Sequence, residues 1–488
     1  MASTLQPLRP TMDLSTISEP QAPAGFFGWL RGFVPVRGSE ALTVVLLSLN
    51  VFVLLTCYYV LKVAREPLIL LGGGAELKAY ASAGQTILLL GVVPAFGWLA
   101  NRVSRLRLMT TVQLIFMGCL VGFYALAEAR APIGLAFYLW VGIFSVLVIS
   151  NFWSFANDLY TEEEGKRLFA VIGVGASIGA IIGAFVPHLL HARLGVGGLM
   201  LIALVGLGVS IVLYRIIDHR ERDKQARVRS ERAAKPAEAP MSKKGGFALV
   251  LRDRYLRLLA AMLLVATIIN TTGEYVIGKM ATERSKVYAA ETVAAEEAAA
   301  TPAHDGAPPV TTHAEATKAA RDEYLSRFYS SYYTLVNLLS ALLQALIVAR
   351  LLTKLGLRRS LFIMPLVVLG GWFALIIFVN VTTVRIEKTA ENGLDYSLHN
   401  TLRQALFLPT SREAKFKAKA AIDTFVFRMG DVIAGLGIVA LFVEVFGFGV
   451  RAFAILNVCL AACWLVLAFR AGRLHDELSA KARADDHA

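Results

Sequence analysis

Charged residues are scarce in this chain. They make up 17% of its 488 residues, whereas hydrophobic residues make up 56%; soluble globular domains carry about 25% charged residues. This shortage excludes an ordinary soluble globular fold and predicts a protein of the lipid bilayer. The sequence also lacks a Ser/His/Asp arrangement, metal-ligand spacing and a phosphate-binding loop. It therefore gives no indication of an enzyme, a metal site or a bound cofactor.

Cysteine is rare as well. Cys57, Cys119, Cys459 and Cys463 all lie inside apolar segments, where we expect small packing residues and neither disulfides nor metal ligands. Residues 1–38 are polar and rich in Pro, and they lack the short apolar core and cleavage site of a removed signal peptide. We expect the first membrane span to act as its own uncleaved signal.

Twelve apolar segments are candidates for membrane-spanning helices, each of which needs roughly 20 residues. The tenth is the least hydrophobic. The segments cover residues 41–62, 79–100, 108–128, 134–157, 168–190, 196–217, 255–279, 327–352, 360–380, 384–408, 418–443 and 448–470.

The distribution of Lys and Arg predicts the orientation of these segments, because positively charged loops stay cytoplasmic. With both termini cytoplasmic, all the basic connections fall on the cytoplasmic side. The net charge of +13 therefore records topology and does not indicate a nucleic-acid partner. The basic connections contain Arg102, Arg105 and Arg107; Lys354, Arg358 and Arg359; Arg412, Lys415, Lys417 and Lys419; and the middle connection from Arg220 to Arg254.

Two patterns occur once in each half of the chain. The basic run from Asn101 to Arg107 follows the second segment, and a degenerate copy at 353–359 follows the eighth. Thr161 and Glu164 follow the fourth segment, and Thr410 and Glu413 follow the tenth. Two similar halves are typical of transporters with the substrate site between them.

We therefore predict an all-α membrane protein with twelve transmembrane helices in two pseudo-symmetric six-helix bundles and both termini cytoplasmic. The predicted parts are a polar tail (1–38), a first bundle (39–217), a basic cytoplasmic linker (218–254), a second bundle (255–470) with an extracytoplasmic loop (281–325), and a cytoplasmic tail (471–488). We expect the ends of the 281–325 loop to be partly helical and its middle to be mobile.

The spacing of several residues has a local physical explanation. Thr161 with Glu164, and Thr410 with Glu413, have the Ser/Thr-x-x-Glu spacing of a capping box at a helix start. The fifth segment contains Gly175, Gly179 and Gly183 at four-residue spacing, preceded by Gly173. This spacing favours close packing of helix backbones over nucleotide binding, which would need a strand before the glycines.

Ionisable and polar residues inside membrane spans are expensive to insert, so they usually mark functional sites. For substrate binding the candidates are Lys62, Arg65, Glu274, Arg403 and Arg428. For coupling or gating they are Glu66, Asn157, Asp395, His399, Asp423 and Asp431.

Each group also has a structural interpretation. Lys62 and Arg65 could extend to the membrane surface at the end of the first helix, and Arg428 with Asp431 could form an ion pair within a bundle. His399 could carry protons, because its ordinary pKa of about 6.5 lies near working pH, or it could be fixed by hydrogen bonds. Asp395, His399 and Arg403, spaced at i, i+4 and i+8, predict one polar stripe facing a cavity.

The motifs resemble known families of transporters. Gly97 with the run from Asn101 to Arg107 is similar to the loop signature of the major facilitator superfamily, with Asn for Asp and Ser104 for Gly. Three further stretches resemble the ATP/ADP translocases of plastids and intracellular bacteria. They are Phe152-Trp-Ser-Phe-Ala-Asn157 with Glu164-Gly-Lys-Arg-Leu-Phe169, Leu61-Lys-Val-Ala-Arg-Glu66, and Lys417-Ala-Lys-Ala-Ala-Ile-Asp423.

This resemblance implies a major-facilitator bundle that exchanges ATP for ADP, with Arg65 matching a basic residue of helix one and Glu274 an acidic residue of helix seven. Two positions depart from the family pattern. Val141 stands where a gapless alignment expects an acidic residue, and Asp431 stands where the family has Lys. Losing a cation and gaining an anion disfavours a nucleotide with three or four negative charges.

Three functions remain open. The first is antiport of a nucleotide or another phosphorylated anion by alternating access. The second is transport of an unrelated solute, coupled to protons through Asp395, His399, Glu274 or Asp431. The third is a non-transporting membrane scaffold or sensor. We expect a monomer in the inner cell membrane, with a small-molecule substrate and no cofactor.

Overall fold

A computed structural model describes residues 38–100, 102–103, 105–222, 246–299, 313–411 and 413–486. Every regular element in these ranges is helical. The predicted N-terminal tail (1–38, except its last residue) and most of the basic linker lie outside the described residues.

The first half of the chain, residues 38–222, contains four long helices. They are α1 (Gly38–Ala100), α2 (Arg105–Glu128), α3 (Gly134–Leu159) and α4 (Glu162–Arg220). Non-helical backbone at Gly73 and Gly74 divides α1 into two helical segments, and Gly195 divides α4. Gly74 and Gly195 have φ of 74° and 61°, a conformation that glycine adopts without steric cost.

The second half, residues 246–486, contains more interruptions. Its helices are α5 (Gly246–Arg252), α6 (Arg254–Ala299), α7 (His313–Leu342), α8 (Ala349–Ser360), α9 (Ile363–Ile377), α10 (Val381–Leu394), α11 (Asn400–Ala405), α12 (Lys419–Ala421), α13 (Phe427–Val432) and α14 (Val450–Asp486). Six π-helical turns lie between them, at Leu343–Val348, Asp395–His399, Ala414–Ala418, Ile422–Val426, Ile433–Val439 and Leu441–Val445.

Eight helical stretches of the described chain are long and apolar enough to cross a membrane. The predicted all-α membrane class is thereby confirmed, whereas the count of twelve spans and the orientation of the termini stay predictions. The predicted tenth segment, 384–408, is not among the eight. The stretches are Glu40–Leu99, Leu106–Glu128, Gly134–Leu159, Arg167–Arg220, Arg254–Ala298, His313–Ser360, Lys419–Val445 and Val450–Lys481.

Two predicted segments end before the helices that contain them. The first, 41–62, continues in α1 as far as the glycines at 73 and 74, so Arg65 and Glu66 lie inside a helix instead of at its end. The seventh, 255–279, continues in α6 to Ala299, and α7 begins at His313. The ends of the predicted 281–325 loop are thus helical, and its middle lies outside the described residues.

One of the two predicted capping boxes is present. Thr161 N donates to Glu164 Oε2 at 2.9 Å, and Glu164 N donates to Thr161 Oγ1 at 3.4 Å, at the start of α4. The box predicted at Thr410 is wrong. Thr410 Oγ1 instead donates to Phe407 O, while Ser411 Oγ, one residue later, accepts from Ala414 N at 3.3 Å. The helix start has moved by one residue, and Ser serves as the acceptor equally well.

The glycines of the fifth segment pack closely against another helix, as predicted, and the structure identifies that helix as α1. A Cβ placed on Gly175, Gly179 or Gly183 would collide with the backbone carbonyl of Ser48, Phe52 or Thr56 respectively. The two sets of residues share four-residue spacing, so one turn of α4 contacts one turn of α1 at each step. This close approach of backbones is what small residues permit between membrane helices.

We expect Gly179→Ala to lower the free energy of unfolding by about 1–3 kcal/mol, the usual cost of overpacking a filled contact. Gly173→Ala is the matched control, because no atom lies within 4 Å of an added Cβ at that position. Thermal unfolding of both variants in detergent checks this. Equal melting temperatures for the two would remove the glycine contact as the explanation.

The cysteines differ in their burial. Cys57 is buried and its Sγ donates to Ala203 O at 3.5 Å, in agreement with a packing role. Cys119, Cys459 and Cys463 are exposed on the protein surface, so the prediction that they are packing residues is wrong for these three. Their segments are apolar on all sides, and hydropathy does not distinguish a face that contacts other helices from one that contacts lipid.

Candidate functional site

A polar cavity of about 160 Å³ lies between the two halves. Helix α1 contributes residues from both sides of its glycine break, α3 contributes one tyrosine, and α6, α7, α10 and α13 contribute from the second half. The cavity is lined by Lys62, Arg65, Lys78, Ala79, Ser82, Tyr138, Asn270, Thr271, Glu274, Tyr275, Tyr333, Asn392, Tyr396 and Asp431.

Two cations of the first half are held by aromatic rings. Lys62 Nζ lies 4.2 Å from the ring centroid of Tyr333 and 5.1 Å from that of Tyr59. The guanidinium carbon of Arg65 lies 4.3 Å from the ring centroid of Tyr138. Ring faces attract cations without neutralising them. Lys62 forms no ion pair within the described residues, so its charge remains available to an anion in the cavity.

The third cation, Lys78, joins the two halves through ion pairs. Its Nζ lies 2.8 Å from Glu66 Oε2 and 3.4 Å from Glu274 Oε2. Glu66 also pairs with Arg65, whose Nε lies 3.3 Å from its Oε1. Both Lys78 and Glu66 are almost fully buried. This is the environment in which removing one partner is most costly.

Lys388 of α10 extends this network away from the cavity. Its Nζ lies 3.0 Å from Glu391 Oε1 and 3.9 Å from Glu274 Oε1. It also donates to Asn270 Oδ1 at 2.9 Å. Gly273 faces the Lys388 side chain, where an added Cβ would lie 3.2 Å from Nζ. Glu274 therefore has a lysine from each half of the protein as its partner.

Neutral donors complete the coordination of the two central carboxylates. Tyr333 OH donates to Glu66 Oε1 at 3.1 Å. Tyr332 OH and Asn392 Nδ2 donate to Glu274 Oε1 at 3.3 and 3.2 Å. Buried carboxylates are stable in the charged form when they receive such hydrogen bonds in addition to ion pairs. Hydrogen bonds and ion pairs within the protein thus fix both carboxylates in place.

The structure brings four predicted residues together in the cavity lining: Lys62, Arg65, Glu274 and Asp431. Glu66 is not in the lining but pairs with the lining residue Lys78. Asp431 accepts a hydrogen bond from Thr271 Oγ1 at 2.7 Å. The remaining predicted residues are not in the lining: Arg403, Arg428, Asn157, Asp395, His399 and Asp423.

The predicted polar stripe of the tenth segment does not line this cavity. Asp395–His399 form a π-helical turn, in which i→i+5 hydrogen bonds alter the register that i, i+4 spacing assumes. His399 is buried, and its ring centroid lies 5.4 Å from that of Trp464. Arg403 Nε lies 3.9 Å from Asp423 Oδ1, so these two predicted residues contact each other outside the cavity.

Sequence reasoning missed Lys78, Lys388, Glu391 and Asn392. Lys78 lies one residue before the predicted second segment, so the hydropathy pattern placed it in the loop between the first two spans. The other three lie in the predicted tenth segment, whose low hydrophobicity is the signal that could have found them. A span that carries Glu387, Lys388 and Glu391 within five residues has to bury charges among partners.

Polar contacts join the two halves at the end of the molecule where α1 turns at Gly73 and Gly74. Glu76 accepts from Tyr275 OH at 3.0 Å and pairs with Lys279 Nζ at 2.6 Å. The ring nitrogen Nε2 of His191 lies 2.7 Å from Asp322 Oδ2. These contacts add two further polar links between the halves outside the central ion-pair network.

No group of three or more His, Cys, Asp or Glu residues within the described ranges is arranged to hold a metal ion. The charged groups of the site are instead distributed as ion pairs over helices α1, α6 and α10.

Comparison with known proteins identifies the family. Residues 18–282 match the model of the Major Facilitator Superfamily, which is more than half of the chain. ADP,ATP carrier protein 2 of Chlamydia trachomatis serovar D is 26% identical over 305 residues, or 49% of this chain and 54% of that protein. The chain thus spans about half the length of this curated relative. The match confirms the resemblance that the sequence motifs indicated.

Solved transporters share the fold at low sequence identity. A POT family transporter in complex with 5-aminolevulinic acid has a TM-score of 0.57 and 14% identity, with 89% of this chain and 96% of that chain covered. The nucleoside transporter NupG has a TM-score of 0.54 and 13% identity, with 88% and 98% covered. At these identities the likeness concerns the fold alone. The chain belongs to the major facilitator superfamily.

Proposed function

We propose that the protein is a secondary transporter that exchanges nucleotides, or another phosphorylated anion, by alternating access. One observation carries this proposal: Lys62, Arg65 and Lys78 converge on a cavity between the halves, and Lys62 has no acidic partner among the described residues. Cations that lack a carboxylate partner favour a substrate that brings its own negative charge.

The size of the cavity indicates which part of the substrate it would bind. Pockets that enclose a drug-sized ligand usually measure about 300–1,000 Å³, whereas this cavity measures about 160 Å³. A phosphate group fits this volume and a whole nucleotide does not. We therefore assign the cavity to the charged end of the substrate, with Lys62 and Arg65 as the binding cations and Glu274 as the group that positions Lys78.

Two of the remaining predicted residues are near cavity-lining residues along the chain. Arg428 precedes the cavity residue Asp431 by three positions, and Arg403 follows Tyr396 by seven. We propose that both contact the anion as it enters or leaves. Asn157, Asp395, His399 and Asp423 would then act in gating or coupling. The ADP,ATP carrier of Chlamydia supports a nucleotide as the substrate.

For the membrane arrangement we propose twelve spans with both termini cytoplasmic, in two bundles at 39–217 and 255–470. The breaks at Gly73–Gly74 and at Gly195 each divide a long helix into two spans. Rocking of the bundles would open the end at which Glu76 pairs with Lys279. A monomer in the inner membrane suffices for this cycle.

The two departures from the family motifs differ in their consequences for substrate binding. Val141 is fully buried in the apolar core of the first half and does not line the cavity. Asp431 does line it, and an anion there favours the alternative in which the solute is zwitterionic or carries a proton. This alternative, transport of an unrelated solute, is therefore kept beside the first. A non-transporting scaffold would have no evident use for so many buried ion pairs.

Uptake of labelled ATP and ADP into proteoliposomes tests the proposal. We expect uptake when the vesicles are preloaded with unlabelled nucleotide and little uptake into empty vesicles, because an exchanger returns only with a bound anion. Vesicles without protein provide the background. Absence of nucleotide uptake by protein with a normal thermal unfolding transition would contradict nucleotide exchange and favour the unrelated solute.

A further inference from the structure

We infer that Glu387 is a proton-binding site connected to the transport cavity through Glu391 and Lys388. The inference rests on the proposed transport function but not on the identity of the substrate. Glu387 lies on α10, two turns from its start at Val381, and only 4% of it is exposed.

No described residue donates a hydrogen bond to either carboxyl oxygen of Glu387 or to one of the two oxygens of Glu391. No Lys or Arg of the described residues forms an ion pair with Glu387. A carboxylate buried without a partner is unstable in the charged form, and it becomes stable when it binds a proton.

The ion pairs around Glu387 are already balanced. Arg65, Lys78 and Lys388 are the three cations of the connected network, and Glu66, Glu274 and Glu391 are its three carboxylates. Glu387 is a fourth carboxylate beside this neutral set. Lys62 stands apart, against tyrosine rings, and does not reach it. A proton is therefore the cation that matches Glu387.

The surrounding helices leave Glu387 few charged neighbours. Glu391 and Lys388 act on it from its own helix, and Glu274 acts on it from α6. Helix α9 packs Gly371 against it, where an added Cβ would collide with Glu387 Cγ. No residue of α9, from Ile363 to Ile377, is charged. Two of the three charged neighbours are negative, which further favours the protonated form of Glu387.

The geometry connects this proton to the cavity. Glu391 lies one helical turn from Glu387, so a proton can pass from one carboxyl to the other: the O–H bond of Glu387 breaks, that of Glu391 forms, and the negative charge moves to Glu387. Lys388 then loses its partner at 3.0 Å, and Glu274 becomes the carboxylate it can pair with. Glu274 then interacts more strongly with Lys388, so its ion pair with Lys78 becomes weaker. Lys78 lines the cavity.

Infrared difference spectroscopy of the full-length protein tests proton binding directly. We expect a carbonyl-stretch band of a protonated carboxylic acid at neutral pH, lost in Glu387→Gln and retained in Glu296→Gln. Glu296 is an exposed glutamate of α6 and serves as the control. Because Gln has the shape of the protonated acid, we expect normal folding, which thermal unfolding checks. A band that persists in Glu387→Gln would overturn the assignment.

Transport assays then test the coupling in proteoliposomes that contain a pH-sensitive dye. With ATP and ADP as the added substrates, we expect wild-type exchange to be accompanied by proton movement. Glu387→Gln should keep exchange between preloaded vesicles and medium but reduce the proton movement to that of protein-free vesicles. Unchanged proton movement in this variant, or none in an active wild type, would contradict the coupling. If the wild type moves no nucleotide, the proposed substrate fails, while the infrared result still decides the proton site.

Discussion

Replacing Lys78 by Met is expected to abolish transport and to lower the free energy of unfolding by about 3–5 kcal/mol, the usual result of removing one partner from a buried ion pair. Lys78 is the residue through which Glu66 of the first half contacts Glu274 of the second, and its side chain is 5% exposed. Its loss leaves Arg65, at 3.3 Å, as the one cation paired with Glu66 among the described residues, and it leaves an excess negative charge between the bundles.

Two further variants separate this effect from a general loss of lysine. Lys286→Met removes an ion pair with Glu283 whose lysine is 54% exposed, and it should cost less than about 1 kcal/mol, as exposed pairs do. The double variant Lys78→Met with Glu66→Gln removes both charges, so it should regain most of the stability and none of the transport. A melting temperature in Lys78→Met equal to that of Lys286→Met would show that the buried network does not hold the halves together.

Replacing Lys62 by Met is expected to impair transport with little loss of stability. Within the described part of the chain Lys62 has aromatic partners only, and such contacts contribute about 0.5–2 kcal/mol. If Lys62 binds the substrate anion, its loss removes a charged hydrogen bond of about 1.5–3 kcal/mol. That loss corresponds to a rise in the substrate KM of roughly 10- to 150-fold.

The measurement is the initial rate of exchange over a range of substrate concentrations. Lys62→Arg keeps the charge and should recover part of the affinity. Lys318→Met, at an exposed lysine of α7, should behave as the wild type. A wild-type KM in Lys62→Met would remove Lys62 from the binding site. Loss of Lys78 is expected to reduce both stability and transport, whereas loss of Lys62 is expected to reduce transport with little effect on stability. The reason is that Lys78 has carboxylate partners and Lys62 has aromatic ones.

Much of the fold could be predicted from local properties of the sequence. The shortage of charge indicated the bilayer, and the four-residue spacing of Gly175, Gly179 and Gly183 indicated close packing against another helix. The capping box at Thr161 follows from spacing alone, whereas its copy at Thr410 failed because Ser411 is an equally good acceptor one residue later. The breaks at Gly74 and Gly195 need a positive φ that glycine permits, and both lie between predicted apolar segments.

The candidate site was predictable only in part. Lys62, Arg65 and Glu274 were found because ionisable residues in apolar segments are conspicuous. Arg403 and Asp423 are just as conspicuous, yet they contact each other outside the cavity. Lys78 and Lys388 were missed because one borders a predicted segment and the other lies in the segment with the lowest hydrophobicity.

The sequence by itself determined the membrane class, the tightly packing glycine face of α4 and the family resemblance, because each is visible in residues close together in the chain. Only the tertiary structure decided that this face packs against α1 and which charges are neutralised. Lys78 meets Glu274 across 196 residues, and Glu66 meets Tyr333 across 267. Ion pairing falls off with distance between side chains in space, and that distance is set by how the helices pack. Among the residues that the structure describes, the same packing leaves Lys62 without a carboxylate partner and Glu387 without a cation.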